Sequence, residues 1–225
     1  MALALAVWMM PMPCAAVTAW GTDESGRAFY WSGERWVQTD DVLAQISIGA
    51  DGAVWGVDPR DEVVRRNGSA WVDVPGRLRM VAVGSAHHVW GIGPDDSVWR
   101  WTGTNWVSVV GHMSVISVGG DGAVWGIGRD RIVYQREGDA WIPRPGNLRH
   151  IDVDSRAHVW GIDQHDRIWR WTGAAWARVP GQLRVVAVGG REVWGIDKYL
   201  NVYRRVDERW QLLPGRLRTV DVGTP

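Results

Sequence analysis

Trp followed by Gly occurs at Trp20, Trp55, Trp90, Trp125, Trp160 and Trp194, at intervals of 35, 35, 35, 35 and 34 residues. A second series runs in step with the first, at Trp36, Trp71, Trp106, Trp141, Trp176 and Trp210. Twelve of the 18 tryptophans therefore mark two positions of one six-fold repeat. A chain built this way stacks equivalent units, each burying a face against the next. Helical repeats also have periods near this length, so the local pattern has to decide. Between Trp125 and Trp160, short runs rich in Val, Ile and Trp alternate with clusters of Gly, Pro, Asp and Asn. That spacing is the grammar of strands and turns, not of a 3.6-residue period. Pro75, Pro145, Pro180 and Pro214 each precede Gly, and Val110 takes the proline's place before Gly111. A helix would be broken at each of these points.

Each repeat holds four predicted strands. The first lies at 46–48, 81–83, 116–118, 151–153, 186–188 and 220–222; the second carries the Val-Trp-Gly run. The third ends in sequences such as Trp-Arg-Trp or Tyr-Arg-Arg, and the fourth starts at the second tryptophan series. Six four-stranded antiparallel units arranged radially make an all-β, six-bladed β-propeller. The strand count also predicts how the ring closes. The chain ends in a first-type strand with nothing after it and begins with a second-type strand with no first strand before it. The C-terminal strand is therefore expected to complete the N-terminal blade. Residues 16–225 are read as one propeller domain and residues 1–15 as an apolar leader.

Positions 28, 63, 98, 133, 168 and 202 are small or aliphatic, and their neighbours 29, 64, 99, 134, 169 and 203 are aromatic or Val. Both faces of the third strand are thus apolar, as a blade sandwiched between two others requires. Trp99 and Trp169 are accordingly expected in the core.

Composition narrows the function. Twenty-five basic residues balance 25 acidic ones, so the basic excess of a sequence-independent nucleic-acid or anionic-membrane binder is missing. A single cysteine, Cys14, excludes a disulfide framework and a Cys-rich zinc site within one chain. The leader resembles the apolar region of a secretion signal without its basic start, and it is too short to cross a bilayer. Secretion is expected on that ground, with a disordered lead or a packed element as alternatives and a cytoplasmic location still open.

The consensus formed by residues 71–91, 106–127 and 176–196 resembles the tectonin repeat of tachylectin-1-type and fish-egg-type lectins. The likeness runs from about residue 16 to the end. It implies a propeller lectin of six blades, non-catalytic and acting in recognition and defence. It also implies ligands such as bacterial lipopolysaccharide or modified surface glycans, O-methylated sugars among them. No ligand residue follows from the likeness, because the matching positions are those of the scaffold.

Candidate binding residues come from the chain itself. Trp101 and Trp106 flank a four-residue loop and face each other across a hairpin; the same count pairs Trp31 with Trp36 and Trp171 with Trp176. In the other three repeats the first partner is arginine: Arg66 with Trp71, Arg136 with Trp141 and Arg205 with Trp210. The strict Trp, Arg alternation suggests three-fold symmetry on top of the six-fold one. Two readings fit. Either these are cross-strand packing pairs, or Trp31, Trp101 and Trp171 form exposed platforms for sugar rings, with arginines adding hydrogen bonds. A second candidate is the rim that carries Asp58, Asp163 and Asp197, in loops 58–61, 93–96, 163–166 and 197–200, beside loops 76–79, 146–149, 181–184 and 215–218 between blades. Carboxylates and guanidinium groups there suit hydroxyl-rich ligands, or else they simply hold turns and pair with one another. A protein partner docked on one rim is the alternative to a glycan.

Nothing points to catalysis or to a cofactor. Six histidines occur without metal-ligand spacing, and no nucleophile elbow is present. His88 and His158 occupy equivalent places two repeats apart, too distant to share one ion. The segments 49–52 and 119–122 read as tight turns and not as calcium loops. A metal in a central channel, fed by several blades, stays open.

Overall fold

A computed structural model describes residues 18–223; the apolar leader and Cys14 lie outside the described residues. The described chain forms 24 strands in six four-stranded antiparallel sheets set around an axis. Blade 1 joins Thr18–Thr22, Arg27–Trp31 and Trp36–Val42 to the C-terminal strand Thr219–Gly223. In that closure Thr22 pairs with Thr219, and their hydroxyls meet at 2.8 Å. Blades 2 to 6 follow in chain order, each running from the axis outwards. The six inner strands are Gln45–Ile48, Met80–Ser85, Val115–Val118, His150–Ser155, Val185–Gly189 and Thr219–Gly223. They line a channel of about 360 Å³.

The core lies between blades. Ala28, Val63, Val98, Val133, Ile168 and Val202 are fully buried on one face of the third strands, as expected. Trp99 and Trp169 pack on the other face, half-buried.

The Trp-Gly motif has a steric cause. The residue that opens each inter-blade connection (Leu43, Leu78, Met113, Leu148, Leu183 and Leu217) lies directly against the motif's glycine. A Cβ on Gly56 would sit 3.0 Å from a Leu43 methyl carbon, and at Gly161 or Gly195 it would collide outright. These latch residues are buried. Each also donates its backbone N–H to a residue in left-handed conformation in the loop between second and third strands, as Leu78 does to the Asp61 carbonyl at 2.9 Å.

The Pro-Gly dipeptides are not inter-blade turns. The outer strands run through them, to Arg77, Asn147, Gln182 and Arg216, so the connections shrink to two residues such as Leu78 and Arg79. Each dipeptide forms a bulge: Val63 pairs with Val74 but Glu62 with Arg77, which leaves Pro75 and Gly76 unpaired. Proline is tolerated because an outer strand has only one neighbour to hydrogen-bond. Glycine is needed because φ is +122° at Gly76 and +117° at Gly146, with the next blade's tryptophan against it. The indoles of Trp141, Trp176 and Trp210 hook onto the bulge carbonyls of Val110, Pro145 and Pro180 at 2.8, 2.7 and 3.0 Å.

Candidate functional site

The alternating hairpin pairs meet the Trp-Gly series at every blade interface. Trp55 of blade 2 stands edge-on to Trp101 and Trp106 of blade 3, with centroids 5.7 and 6.1 Å away. Trp125 meets Trp171 and Trp176 in the same way, and Trp194 meets Trp31 and Trp36 across the closure. At the other three interfaces a guanidinium replaces the middle indole. Arg66 lies between Trp20 and Trp71 at 4.9 and 5.5 Å, Arg136 between Trp90 and Trp141, and Arg205 between Trp160 and Trp210.

The exposed aromatic platform expected of Trp31, Trp101 and Trp171 is therefore not formed. Trp101 keeps 9% of its surface and Trp171 6%, while Trp31 is half-buried. Each aromatic contact contributes about 0.5–1.5 kcal/mol beyond burial, a gain that requires the faces to be packed. Three-fold symmetry over the six-fold one is thus a packing alternation. The outer series, Trp36, Trp71, Trp106, Trp141, Trp176 and Trp210, is half-buried, as Trp31 is.

The rim aspartates hold turns. Asp163, 4% exposed, accepts from the His165 and Arg167 backbone N–H, the Arg167 guanidinium and the Trp169 indole N–H at 3.0 Å. Asp58 takes the Arg60 and Glu62 amides at 2.8 Å each, and Asp197 those of Tyr199 and Asn201 plus the Tyr203 hydroxyl. Burial alone would raise these carboxyls; the hydrogen bonds outweigh it and hold all three below the usual range. Arg79 binds Asp96 at 2.5 Å and the Met113 and Ser114 carbonyls at 3.0 Å, tying one blade's loop to the next connection. Arg149 does the same with Asp166.

Ala82 and Ala187 complete one column of the channel wall whose polar members are Ser47, Ser117, Asp152 and Asp221. These side chains accept inner-strand N–H groups of the following blade. Ser47 takes Val83, Ser117 takes Val153, Asp152 takes Val188 at 2.6 Å and Asp221 takes Ile48 at 3.0 Å. Enclosure in the ring pushes Asp152 up to about 8, with repulsion from Asp221 second; Asp221 is raised as well. His150 lies on the same strand and donates Nε2–H to the Val186 carbonyl; burial pulls its pKa down to about 4. Among the described residues no group of three or more His, Cys, Asp or Glu could hold a metal ion, and no helix is long and apolar enough to cross a membrane.

What remains unspent is cationic. Arg65, Arg100 and Arg170 recur at one position of the third strands and are exposed, as is Arg156 in the first hairpin of blade 5. Among the described residues none of the four has a carboxylate within ion-pair distance, unlike Arg204 in the same column, which pairs with Glu192 at 2.6 Å. Sequence reading passed over both columns. The channel column shows as polar letters inside an apolar strand run, and the arginine column as Tyr30, Arg65, Arg100, Gln135, Arg170 and Arg204 at the repeat spacing.

The Tectonin domain family matches residues 14–104, 94–174 and 157–225. The chain belongs to the tectonin-domain family. Family and fold are those of a non-catalytic propeller scaffold. No curated protein matches it. Solved structures similar in fold include YCF48 from Cyanidioschyzon merolae, 15% identical with a TM-score of 0.55, over 91% of this chain and 87% of that one. Prp20p from Saccharomyces cerevisiae is 10% identical with a TM-score of 0.59, over 91% and 76%. The WD40 propeller domain of Doa1 is 12% identical with a TM-score of 0.62, over 89% and 80%. At these identities the likeness is one of fold.

Proposed function

We propose that this tectonin propeller is an interaction scaffold that docks an acidic protein partner at its surface. The supporting observation is the division of its side chains. The aromatic faces and rim carboxylates suited to sugars are consumed by blade packing and turn formation, whereas Arg65, Arg100, Arg156 and Arg170 stand exposed without counter-charges. Guanidinium groups free of the fold's own demands match carboxylates by geometry and charge. Propellers of the same fold have been solved for partner binding: one YCF48 structure holds a D1 peptide, and the Prp20p work describes binding to Gsp1p and histones.

Family membership favours a second reading, a lectin for lipopolysaccharide or O-methylated surface glycans. Six half-buried outer tryptophans would then supply weak, repeated contacts whose avidity rises on linkage, by roughly 100-fold or more. One experiment separates the two. The full chain is applied to arrays of microbial glycans and of acidic and neutral peptides, at low salt and at about 0.5 M, where charge attraction is strongly screened. Binding to acidic peptides that falls with salt supports the scaffold. Salt-resistant, competable binding to uncharged sugars with no peptide signal overturns it in favour of the lectin.

A further inference from the structure

Arginines from different positions of the repeat meet at one interface. The groove between blades 3 and 4 is lined by Trp90 and Arg100, by residues 107–110 of blade 3's outer strand, and by Arg136 and Asp139 of blade 4; Arg156 of blade 5 closes one end. Three arginines there face a single carboxylate. That carboxylate, Asp139, sits at a hairpin tip with its side chain fully exposed and bonds Arg136 Nη2 at 3.1 Å. An adjoining hollow, which shares Trp90, Arg100 and Gly122, adds His87, His88 and Thr102 and contributes no acid.

The equivalent interface between blades 1 and 2 shows that the fold does not require this charge. There Tyr30 stands in place of Arg100, and Arg66 satisfies its own guanidinium with the Gly68 and Ser69 carbonyls at 3.3 and 3.1 Å. Arg136, by contrast, has a buried Nη1 with no acceptor. His88 and His158 occupy equivalent places, yet they differ too. His158 faces Asp154 at 3.5 Å, whereas His88 bonds only the Ser85 hydroxyl, because blade 3 keeps the repeat's glycine, Gly84, where blade 5 has Asp154. The groove thus gathers three guanidinium groups against one exposed carboxylate.

Its outer wall supplies the rest of a docking surface. The strand Trp106–His112 is an edge strand, and Val107 and Val110 are exposed on it, Val110 by 88%. An edge strand offers unpaired N–H and C=O groups to an added strand, with side-chain contacts selecting the sequence.

We propose that the groove between blades 3 and 4 takes an extended acidic segment of a protein partner. Its carboxylates engage Arg100 and Arg156 while its apolar side chains cover Val107 and Val110, the Val110 carbonyl staying with the Trp141 indole. This rests on the scaffold reading above and names the site that reading needs.

The test uses the full chain and a labelled ten-residue peptide of alternating Asp and Val, with its Asn–Val counterpart as control. Arg100→Glu and Arg156→Glu change exposed side chains, so the variants should melt like the parent; Arg35→Glu changes an exposed arginine in the outer hairpin of blade 1, outside the groove. Anisotropy should show the acidic peptide bound and the amide peptide not. R100E and R156E should each weaken binding by about tenfold, the magnitude of one charge-assisted contact, and R35E should leave it unchanged. Amide exchange at residues 107–110 should slow with peptide present. Peptide binding indifferent to R100E and R156E overturns the groove and leaves the scaffold reading standing. No peptide binding by well-folded protein sinks both. A sulfated oligosaccharide that binds more tightly with the same arginine dependence makes the occupant a polyanionic glycan and refutes the peptide.

Discussion

Asp152 predicts an unusual loss of stability in mildly alkaline solution. Its Oδ2 accepts the Val188 N–H at 2.6 Å and its Oδ1 meets the Ser117 hydroxyl at 2.9 Å, the hydroxyl itself accepting from Val153. Enclosure and the nearby Asp221 carboxylate raise the pKa from 3.8 to about 8. The folded protein therefore keeps a proton that the unfolded chain has lost, and stability falls as pH rises through this range. Other groups confuse the lower part of it. His150, held neutral by burial, costs stability as pH falls from 6.5 towards 4, and the rim carboxylates act only near or below pH 4. Between pH 6.5 and 8 Asp152 acts almost alone. At about 1.4 kcal/mol per pH unit, the loss over that window approaches 2 kcal/mol. Access from the channel lowers this figure, so it is a ceiling. For a chain of this size it corresponds to a drop in Tm of roughly 4–8 °C. Thermal melts followed by tryptophan fluorescence at half-unit pH steps would measure it. Asp152→Asn imitates the protonated group, since its amide can still donate to Ser117 and accept from Val188, and it should remove the slope. Asp221→Asn should move the slope to lower pH by relieving the repulsion. A parent protein whose Tm is flat or rises between pH 6.5 and 8, or a D152N variant that keeps the slope, would refute the reasoning.

Trp101→Ala should behave as a core truncation and not as a ligand-site change, costing about 3–5 kcal/mol, because it empties the space between Trp55 and Trp106; urea unfolding at constant m-value would show it. Gly146→Ala puts a Cβ 2.7 Å from the Trp176 indole nitrogen at a φ of +117°, and should lower stability by at least about 1–2 kcal/mol in the same assay. Leu200 is an exception among the loop residues in left-handed conformation, with a φ of 68° and no turn-forming side chain; Leu200→Gly should gain up to about 1 kcal/mol, read as a higher Tm.

The architecture was legible because blade packing repeats the same demand six times. The Trp-Gly glycine must admit a latch side chain, and the second tryptophan must cover a bulge, so both positions recur at the period of the fold. Closure followed from counting strands, and Thr22 opposite Thr219 meets that count. The Pro-Gly bulge was misplaced for a local reason. Proline and glycine announce a break in backbone regularity, and a bulge on an edge strand is such a break without ending the strand. The aromatic platform illustrates a different limit. Sequence fixes that Trp101 opposes Trp106 across a hairpin, but not that Trp55 of the preceding blade fills the exposed side of the pair. That contact is set by inter-blade geometry, which no spacing within one repeat contains.

The same reasoning turns the repeat into a background against which binding chemistry stands out. Whatever recurs six times is answerable to packing, and whatever alternates three times is too, since Arg66, Arg136 and Arg205 fill the same space as Trp31, Trp101 and Trp171. Departures from the repeat carry no such obligation. Asp152 and Asp221 replace the serines that serve blades 2 and 4, at the cost of burying carboxyl groups. Arginine at the position of Arg100 recurs in four blades but gives way to Tyr30 and Gln135 in the other two, so packing does not demand it, and Asp154 departs from a column that is otherwise glycine. A ring that needs only six like blades gains nothing from these exchanges. The gathering of Arg100, Arg136 and Arg156 between blades 3 and 4 is what directs the search for a partner to that groove.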